Sequence, residues 1–204
     1  MIGIINYGAG NIKAISNIYK DLELDCKVVN KHSQIKDCTK YILPGVGSFD
    51  FCKQKLIDSN FIENLNESVL VLGKPILGIC VGMQLMADKS EEGVLNGLGW
   101  ISGEVCKFDK NRLKHKPKIP HMGWNSIELK KHHSLFNEID FQRGFYFVHS
   151  YYFKPNNENN SLSKTDYGIR FDSSVISDNI FGVQFHPEKS HSNGINLLKN
   201  FSNL

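Results

Sequence analysis

Residues 75–82 read Pro-Ile-Leu-Gly-Ile-Cys-Val-Gly, an apolar run that ends in a Gly-x-Cys-x-Gly turn. Such a run predicts a buried strand that enters a tight turn and leads directly into a helix. Gly78 and Gly82 suit this turn, because its strained backbone leaves no room for side chains beside the central residue. The turn places Cys80 at a helix N-terminus, where amide groups and the helix dipole favour the thiolate form. Cys80 is therefore predicted to be a nucleophile.

Strands and helices alternate around this turn through the first ninety residues. The predicted strands are Ile2–Ile5, Cys26–Val29, Tyr41–Leu43 and 75–79, and the predicted helices are 11–22, 48–59, 61–72 and a helix from residue 81. This order predicts an α/β fold with a parallel sheet flanked by helices, whose ligand sites lie beyond the carboxyl ends of the strands.

The second half of the chain predicts shorter strands of mixed pairing. They lie at 100–108, 119–129, 145–153, 165–177 and 180–185, and a helix at 191–202 follows them. No stretch has the composition of a linker, so residues 1–204 are predicted to form a single domain.

Composition narrows the class of protein. With 41% hydrophobic and 22% charged residues the chain is typical of a soluble globular domain, and no apolar stretch approaches the roughly 18 residues of a membrane span. The net charge of only +3 argues against nucleic acid as a partner. The five cysteines form no C-x-x-C pair, which favours reduced thiols in a cytoplasmic protein without a metal site. The basic stretch 107–118 fits either a solvated loop or a surface that faces an anion or a partner.

A base for the cysteine is predicted near the C-terminus. The apolar strand Phe181–Phe185 runs into His186-Pro187-Glu188. Pro187 favours an extended backbone at His186, so the side chains of residues 186 and 188 leave on the same side. The carboxylate of Glu188 can then orient the imidazole that takes the proton from Cys80. Alone, this tripeptide also fits a surface turn, but together with the cysteine turn it favours a catalytic triad.

An oxyanion hole completes the predicted chemistry. The backbone N–H of Val81 directly follows the nucleophile, and the loop that contains Val46 and Gly47 is the candidate for a second donor, although it also fits a plain turn. These groups together predict acyl transfer through a thioester, on a carboxamide or ester substrate and with no cofactor.

Several motifs resemble the class I (triad) glutamine amidotransferases, and most closely the glutaminase subunit of imidazole glycerol phosphate synthase in histidine biosynthesis. They are NYGAGN (6–11), LPGVGSF (43–49), GICVGMQLM (78–86), PHMGWN (120–125), YFVHSYY (146–152) and GVQFHPEKS (182–190). The resemblance covers essentially the whole chain. It implies a flavodoxin-like class I fold, in which a mostly parallel central sheet carries additional antiparallel strands in the C-terminal half. It also implies hydrolysis of L-glutamine by Cys80, His186 and Glu188.

The same resemblance implies that the glutamine is surrounded by Gly47, Gln84, Glu92 and Ser150. Gln84 lies four residues after Cys80 and therefore on the same helix face. Glu92 could hold the substrate ammonium group, although Glu91 and Glu92 also fit a solvated pair.

A partner protein is implied as well. Members of the family form a heterodimer with a (β/α)8 cyclase subunit, on which they dock, and pass ammonia to it, because free ammonia would be protonated in neutral water. The residues implied to face that partner are Asn11, Met122, Trp124, Tyr146 and Lys189. Trp124 and Tyr146 are of the type enriched in interface hot spots, but core packing is an alternative for both.

Some residues depart from the family pattern: Asn6 replaces a usual Asp, Val81 replaces a usual Leu, and Trp100 and His191 are less typical. The last two fit a paralogous glutaminase that supplies ammonia for amidination of a surface sugar, in lipopolysaccharide or a flagellin glycan, and this remains an alternative. Further alternatives are a stand-alone cysteine hydrolase and a non-catalytic subunit.

Overall fold

A computed structural model describes residues 1–113 and 118–204, which form thirteen β-strands and five α-helices. The strands are β1 (Ile2–Ile5), β2 (Cys26–Val29), β3 (Lys40–Gly45), β4 (Ile76–Cys80), β5 (Lys89–Ser90), β6 (Gly103–Lys107), β7 (His121–Asn125), β8 (Glu128–Leu129), β9 (Phe145–His149), β10 (Tyr151–Pro155), β11 (Ser161–Asp166), β12 (Arg170–Ser177) and β13 (Ile180–Val183). The helices are α1 (Ile12–Asp21), α2 (Phe49–Asp58), α3 (Phe61–Asn66), α4 (Val81–Gln84) and α5 (His191–Asn203).

The central sheet is mixed, as predicted. Its order is β2-β1-β3-β4-β13-β12-β11-β8. The pairs from β2 to β13 are parallel, whereas β12, β11 and β8 continue the sheet in antiparallel order. Smaller sheets join β10, β6 and β5, and β7 with β9.

The register of the three middle strands decides where the site lies. Gly45 at the end of β3 is paired with Cys80 at the end of β4, and Ile79 is paired with Val183 at the end of β13. The loop after β3, the cysteine turn and the segment after β13 therefore meet at one edge of the sheet, although residues 80 and 184 are 104 positions apart.

The helices bury apolar faces against this sheet. On α1, Ile15 and Tyr19 are fully buried and Ile12 and Ile18 pack against the core. The Tyr19 hydroxyl donates to the backbone oxygen of Leu198, which ties α1 to α5.

Several predicted boundaries differ from the structure. The predicted strands 119–129 and 145–153 each divide into two, and β11 begins earlier than the predicted strand 165–177. The helix predicted over 61–72 changes from α-helix to a π-helical turn at residues 67–71.

The helix predicted from residue 81 is only four residues long. The helix does not continue, because a later segment of the chain occupies the next backbone oxygens. The oxygens of Leu85 and Met86 accept hydrogen bonds from the N–H groups of Leu98 and Trp100. Hydrophobic periodicity does not reveal these competing N–H donors, since they lie more than ten residues further along the chain.

Candidate active site

The cysteine turn has the predicted strained backbone. Cys80 has φ 53° and ψ −112°, a conformation that side-chain-bearing residues rarely adopt. Within the turn, a Cβ on Gly78 would lie 2.7 Å from the Gly82 oxygen, and a Cβ on Gly82 would overlap the Leu43 oxygen of the neighbouring strand β3. The two glycines are thus required by backbone contacts, and the sulfur of Cys80 is held at the sheet edge.

His186 and Glu188 leave the chain on the same side, as predicted. His186 is extended (φ −102°, ψ 96°), and Pro187 begins a single 3-10 turn over Pro187–Lys189. The distance between His186 Nδ1 and Glu188 Oε1 is 2.8 Å, and both side chains are almost fully buried. The backbone N–H of His186 donates to the Tyr146 oxygen at 2.9 Å, which fixes the segment against β9.

The charge state of His186 depends on its two neighbours. Burial by itself lowers the pKa of His186, but the negative charges and hydrogen bonds of Cys80 and Glu188 raise this pKa to about 10. The imidazole is thus suited to take the thiol proton and retain it opposite a thiolate. Cys80 and His186 line the same cavity, which brings the candidate nucleophile and its base together.

A cavity of about 240 Å³ opens in front of Cys80. It is lined by Val46, Gly47, Cys80, Val81, Gln84, Glu92, Val148, His149, Ser150, Tyr151, His186 and Lys189. Every residue predicted to bind glutamine or to form the oxyanion hole is therefore brought to one space. Glu188 stands behind His186 and is absent from this lining.

Gln84 offers only one atom to a ligand. It is 2% exposed, and its Nε2 donates to the Tyr151 backbone oxygen at 3.1 Å and to Gln184 Oε1 at 3.0 Å. Because both amide hydrogens are committed, the free group is the carbonyl oxygen, which can accept a hydrogen bond from a bound amide or ammonium.

Glu92 gives the cavity a negative wall. It is half-buried and accepts the backbone N–H of Phe49 at 2.8 Å, whereas Glu91 is exposed and bonds Lys107. The two glutamates therefore do not form the solvated pair that was the alternative. Burial raises the pKa of Glu92, and the Phe49 N–H partly opposes this rise.

The loop after β3 also lines the cavity in front of Cys80. Gly47 has φ +129°, which glycine tolerates, and the Val46 oxygen faces the Cys52 sulfur at 3.6 Å. The role of this loop and of the Val81 N–H in an oxyanion hole stays a prediction.

Two buried polar residues of the site were missed from the sequence. Gln184 is fully buried beside Cys80, and His149 is 6% exposed in the cavity wall. The only signal for each is a polar residue within an apolar strand, at GVQF (182–185) and YFVH (146–149).

Hydrogen bonds fix the tautomer of His149. Its Nδ1 lies 2.7 Å from the Tyr151 oxygen and therefore carries the proton, while its Nε2 accepts from His121 Nδ1 at 2.8 Å. Burial, and then the neighbouring His121, lower the pKa of His149 to about 3.

This low pKa predicts acid sensitivity. In the unfolded chain His149 gains a proton near pH 6.5, whereas in the folded chain it stays neutral down to about pH 3, so stability is lost as the pH falls below 6.5. We expect a loss of roughly 1 to 2 kcal/mol in unfolding free energy between pH 7.5 and 5 from this residue. Urea unfolding at both pH values should show a smaller acid loss in His149→Gln than in the wild type. His132→Gln, which changes an exposed histidine, serves as control, and an equal loss in all three proteins would contradict the assignment.

The residues predicted to face a partner lie largely on one exposed patch. Met122 and Trp124 on β7 are 62% and 43% exposed, and Trp124 is paired with Tyr146 across the strands. The Lys189 Nζ lies 5.6 Å from the Tyr146 ring centre, and the Trp124 ring stacks on His191 at 5.4 Å. Core packing is therefore wrong for Trp124.

We call Met122, Trp124, Tyr146, Lys189 and His191 the Trp124 surface. Asn11 precedes α1, which packs against the 187–189 turn that carries Lys189. Lys189 also lines the cavity, so the Trp124 surface adjoins the space in front of Cys80. Trp100, the other atypical residue, is buried and its Nε1 donates to Asn66 Oδ1.

Other regions add little to the site. In the basic stretch 107–118, residues 114–117 lie outside the described part of the chain. Over residues 1–113 and 118–204, no helix is long and apolar enough to span a membrane. Within the same ranges, no three His, Cys, Asp or Glu side chains are grouped as metal ligands.

Comparisons with known proteins agree with this geometry. The class-I glutamine amidotransferase family matches residues 3–203. The chain is 45% identical to "Imidazole glycerol phosphate synthase subunit HisH" of Leptospira interrogans over the full length of both proteins. It is 42% identical to subunit "HisH 2" of Pseudomonas aeruginosa, again over both full lengths.

Solved structures show the same fold at low sequence identity. A putative GMP synthase subunit from Thermoplasma acidophilum matches with a TM-score of 0.71 at 18% identity, covering 99% of this chain and 92% of that one. A further glutamine amidotransferase matches with a TM-score of 0.74 at 15% identity, covering 99% and 97%.

Proposed function

Because this chain belongs to the class-I glutamine amidotransferases, and within them to the HisH glutaminase subunits of imidazole glycerol phosphate synthase in histidine biosynthesis, we propose that Cys80, His186 and Glu188 hydrolyse its L-glutamine. The observation that carries this assignment is the shared cavity: a strained cysteine at a strand end faces a buried histidine–glutamate pair, beside Gln84 and Glu92.

The proposed reaction begins with proton transfer. His186 takes the thiol proton, and the Cys80 thiolate attacks the carboxamide carbon of glutamine. Backbone N–H groups of the Val46–Gly47 loop and of Val81 stabilise the oxygen that becomes negative. His186 then gives its proton to the leaving nitrogen, so ammonia departs and a thioester remains.

Water completes the cycle. His186 removes a proton from a water molecule, whose oxygen attacks the thioester carbon. The carbon–sulfur bond breaks, glutamate leaves, and the proton on His186 returns to the sulfur. Glu188 holds the imidazole through Nδ1 and stabilises its positive form at each step.

Substrate recognition uses charge and hydrogen bonding. Glu92 is the proposed partner of the α-ammonium group, since it is the carboxylate in the cavity wall. The free Gln84 oxygen accepts a hydrogen bond from the substrate, and Gly47 and Ser150 complete the lining of the cavity around it.

The ammonia acceptor in this proposal is a (β/α)8 cyclase subunit that binds as the second half of a heterodimer. Two features support it: the similar proteins are named as subunits, and the Trp124 surface is exposed, aromatic and continuous with the cavity through Lys189. Direct transfer across such an interface keeps ammonia from being protonated in water.

Complementation tests the pathway. We expect the gene to restore growth of a histidine auxotroph that lacks its own glutaminase subunit, and the Cys80→Ala gene to fail. Failure of the wild-type gene, with soluble protein detected in the cells, would contradict the histidine pathway and favour the sugar-amidating alternative. Growth with Cys80→Ala would contradict the role of the cysteine.

A further inference from the structure

Gln184 lies directly behind the nucleophile. It follows β13, it is fully buried, and its Nε2 is 3.7 Å from the Cys80 sulfur. An amide nitrogen carries hydrogens and has no acceptor capacity, so this contact is an N–H donor that points at sulfur.

The neighbouring hydrogen bonds decide which end of the Gln184 amide faces the sulfur. Gln184 Oε1 accepts a hydrogen bond from Gln84 Nε2 at 3.0 Å, which turns the opposite end, the NH2 group, toward Cys80. The orientation of the Gln84 amide is in turn fixed by a backbone carbonyl. Its Nε2 donates to the Tyr151 backbone oxygen at 3.1 Å, and a carbonyl oxygen can only accept.

The same carbonyl anchors a second side of the cavity. The Tyr151 oxygen also accepts the Nδ1 proton of His149 at 2.7 Å, so both of its lone pairs are used. Reversal of the Gln84 amide would place its oxygen against two oxygens, those of Tyr151 and Gln184. The hydrogen-bond chain from Tyr151 to Cys80 therefore has one direction.

A second polar group also lies close to the sulfur. The Val148 backbone oxygen lies 4.0 Å from it and favours the protonated thiol, because an acceptor repels a thiolate. The Gln184 N–H has the opposite effect and favours the negative sulfur. Since the amide is uncharged, this effect is present at every pH.

We propose that Gln184 is a catalytic residue that holds the Cys80 sulfur as a thiolate through its side-chain N–H, and that Gln84 is the positioning residue that keeps this amide in the donating orientation. No proton is transferred from Gln184, since the thiol proton still goes to His186. The inference rests on the proposed role of Cys80 as the nucleophile.

Alkylation by iodoacetamide tests this directly, because it measures thiolate reactivity without glutamine. The rate is followed on the intact chain as a function of pH, with the labelled cysteine identified by mass spectrometry. For Gln184→Met we expect alkylation of Cys80 to slow roughly tenfold at neutral pH, with the acidic limb of the rate profile displaced to higher pH. The KM for glutamine should change little while kcat falls.

A shift of the acidic limb of the alkylation-rate profile to higher pH distinguishes a chemical role of Gln184 from a packing role. The titratable groups that share the cavity with Cys80 are Glu92, His149, Tyr151, His186 and Lys189, with Glu188 behind His186, and Tyr7 after β1 and Cys52 on α2 also interact electrostatically with Cys80. The substitution at position 184 leaves all of them in place, so the displacement reports the lost N–H.

Asn193→Leu is the matched control. Asn193 is also a buried amide, and it donates to the Asp140 and Gly144 oxygens away from the cavity. We expect this variant to lower the melting temperature and leave the alkylation profile unchanged.

If Gln184→Met does not fold, the variant Gln84→Met tests the same role of the Gln184 N–H. It leaves Gln184 present but removes the group that orients it, so alkylation should slow several-fold. Wild-type rates and pH profiles in whichever of these variants fold would overturn the inference. If instead wild-type Cys80 is alkylated no faster than Cys106 and glutamine gives no protection, the proposed function fails.

Discussion

Replacing Cys80 by alanine should reduce glutamine hydrolysis by roughly 10⁴-fold or more, because the thioester cannot form without the sulfur. Removal of a nucleophile leaves only the binding and oxyanion contributions, which accelerate reaction with water weakly. The measurement is glutamate release in the presence of the proposed cyclase partner and its nucleotide substrate.

Cys106→Ser is the control for the loss of a thiol. Cys106 lies on β6, is half-buried and does not line the cavity, so this variant should retain wild-type activity. Hydrolysis by Cys80→Ala at a rate comparable to the wild type would exclude the thioester mechanism.

Gly82→Ala should destabilise the fold by about 3 kcal/mol or more, enough to leave much of the protein unfolded. A Cβ at this position overlaps the backbone oxygen of Leu43, and a backbone atom in the middle of a sheet cannot move aside as a flexible side chain can. The strand β3 and the cysteine turn would have to separate. Urea unfolding gives the free energy, and the circular dichroism spectrum reports the folded fraction.

Gly73→Ala is the matched substitution without the overlap. Gly73 has φ +65°, but no atom lies within 4 Å of a Cβ built there. Its cost should be limited to backbone strain, about 1 kcal/mol. Equal losses at positions 73 and 82 would show that the close approach of the turn to β3 is not what requires glycine.

The parallel half of the fold was predictable because its strands are short and mainly apolar, with Lys27 in β2 and Lys40 at the start of β3 as the charged residues. Ile2–Ile5 and Cys26–Val29 match β1 and β2 at both ends. The antiparallel half was predicted less well. The strand β11 is rich in serine, lysine and threonine, and its hydroxyl groups are buried by bonds to β12, such as that between Ser163 and Ser174. A single sequence does not show such pairings.

The candidate site also contains features that the sequence predicts and one that it does not. The strained turn at Cys80 and the contact between His186 and Glu188 were predictable because both are local, and local geometry already fixes where these side chains leave the chain. The donor from Gln184 was not predictable, because its direction depends on Gln84 and on a Tyr151 carbonyl from other strands. Hydrogen-bond direction is a property of the assembled sheet.

The position of β13 between β4 and β12 has a consequence for how the protein is made. Cys80 emerges from the ribosome long before residue 184, which follows it by 104 positions, and before the base at residue 186. A nascent or truncated chain that ends before β13 therefore carries the thiol without its base, and the sheet beside it is open. Under the proposed mechanism, such a chain cannot release ammonia until β13 has joined the sheet beside β4.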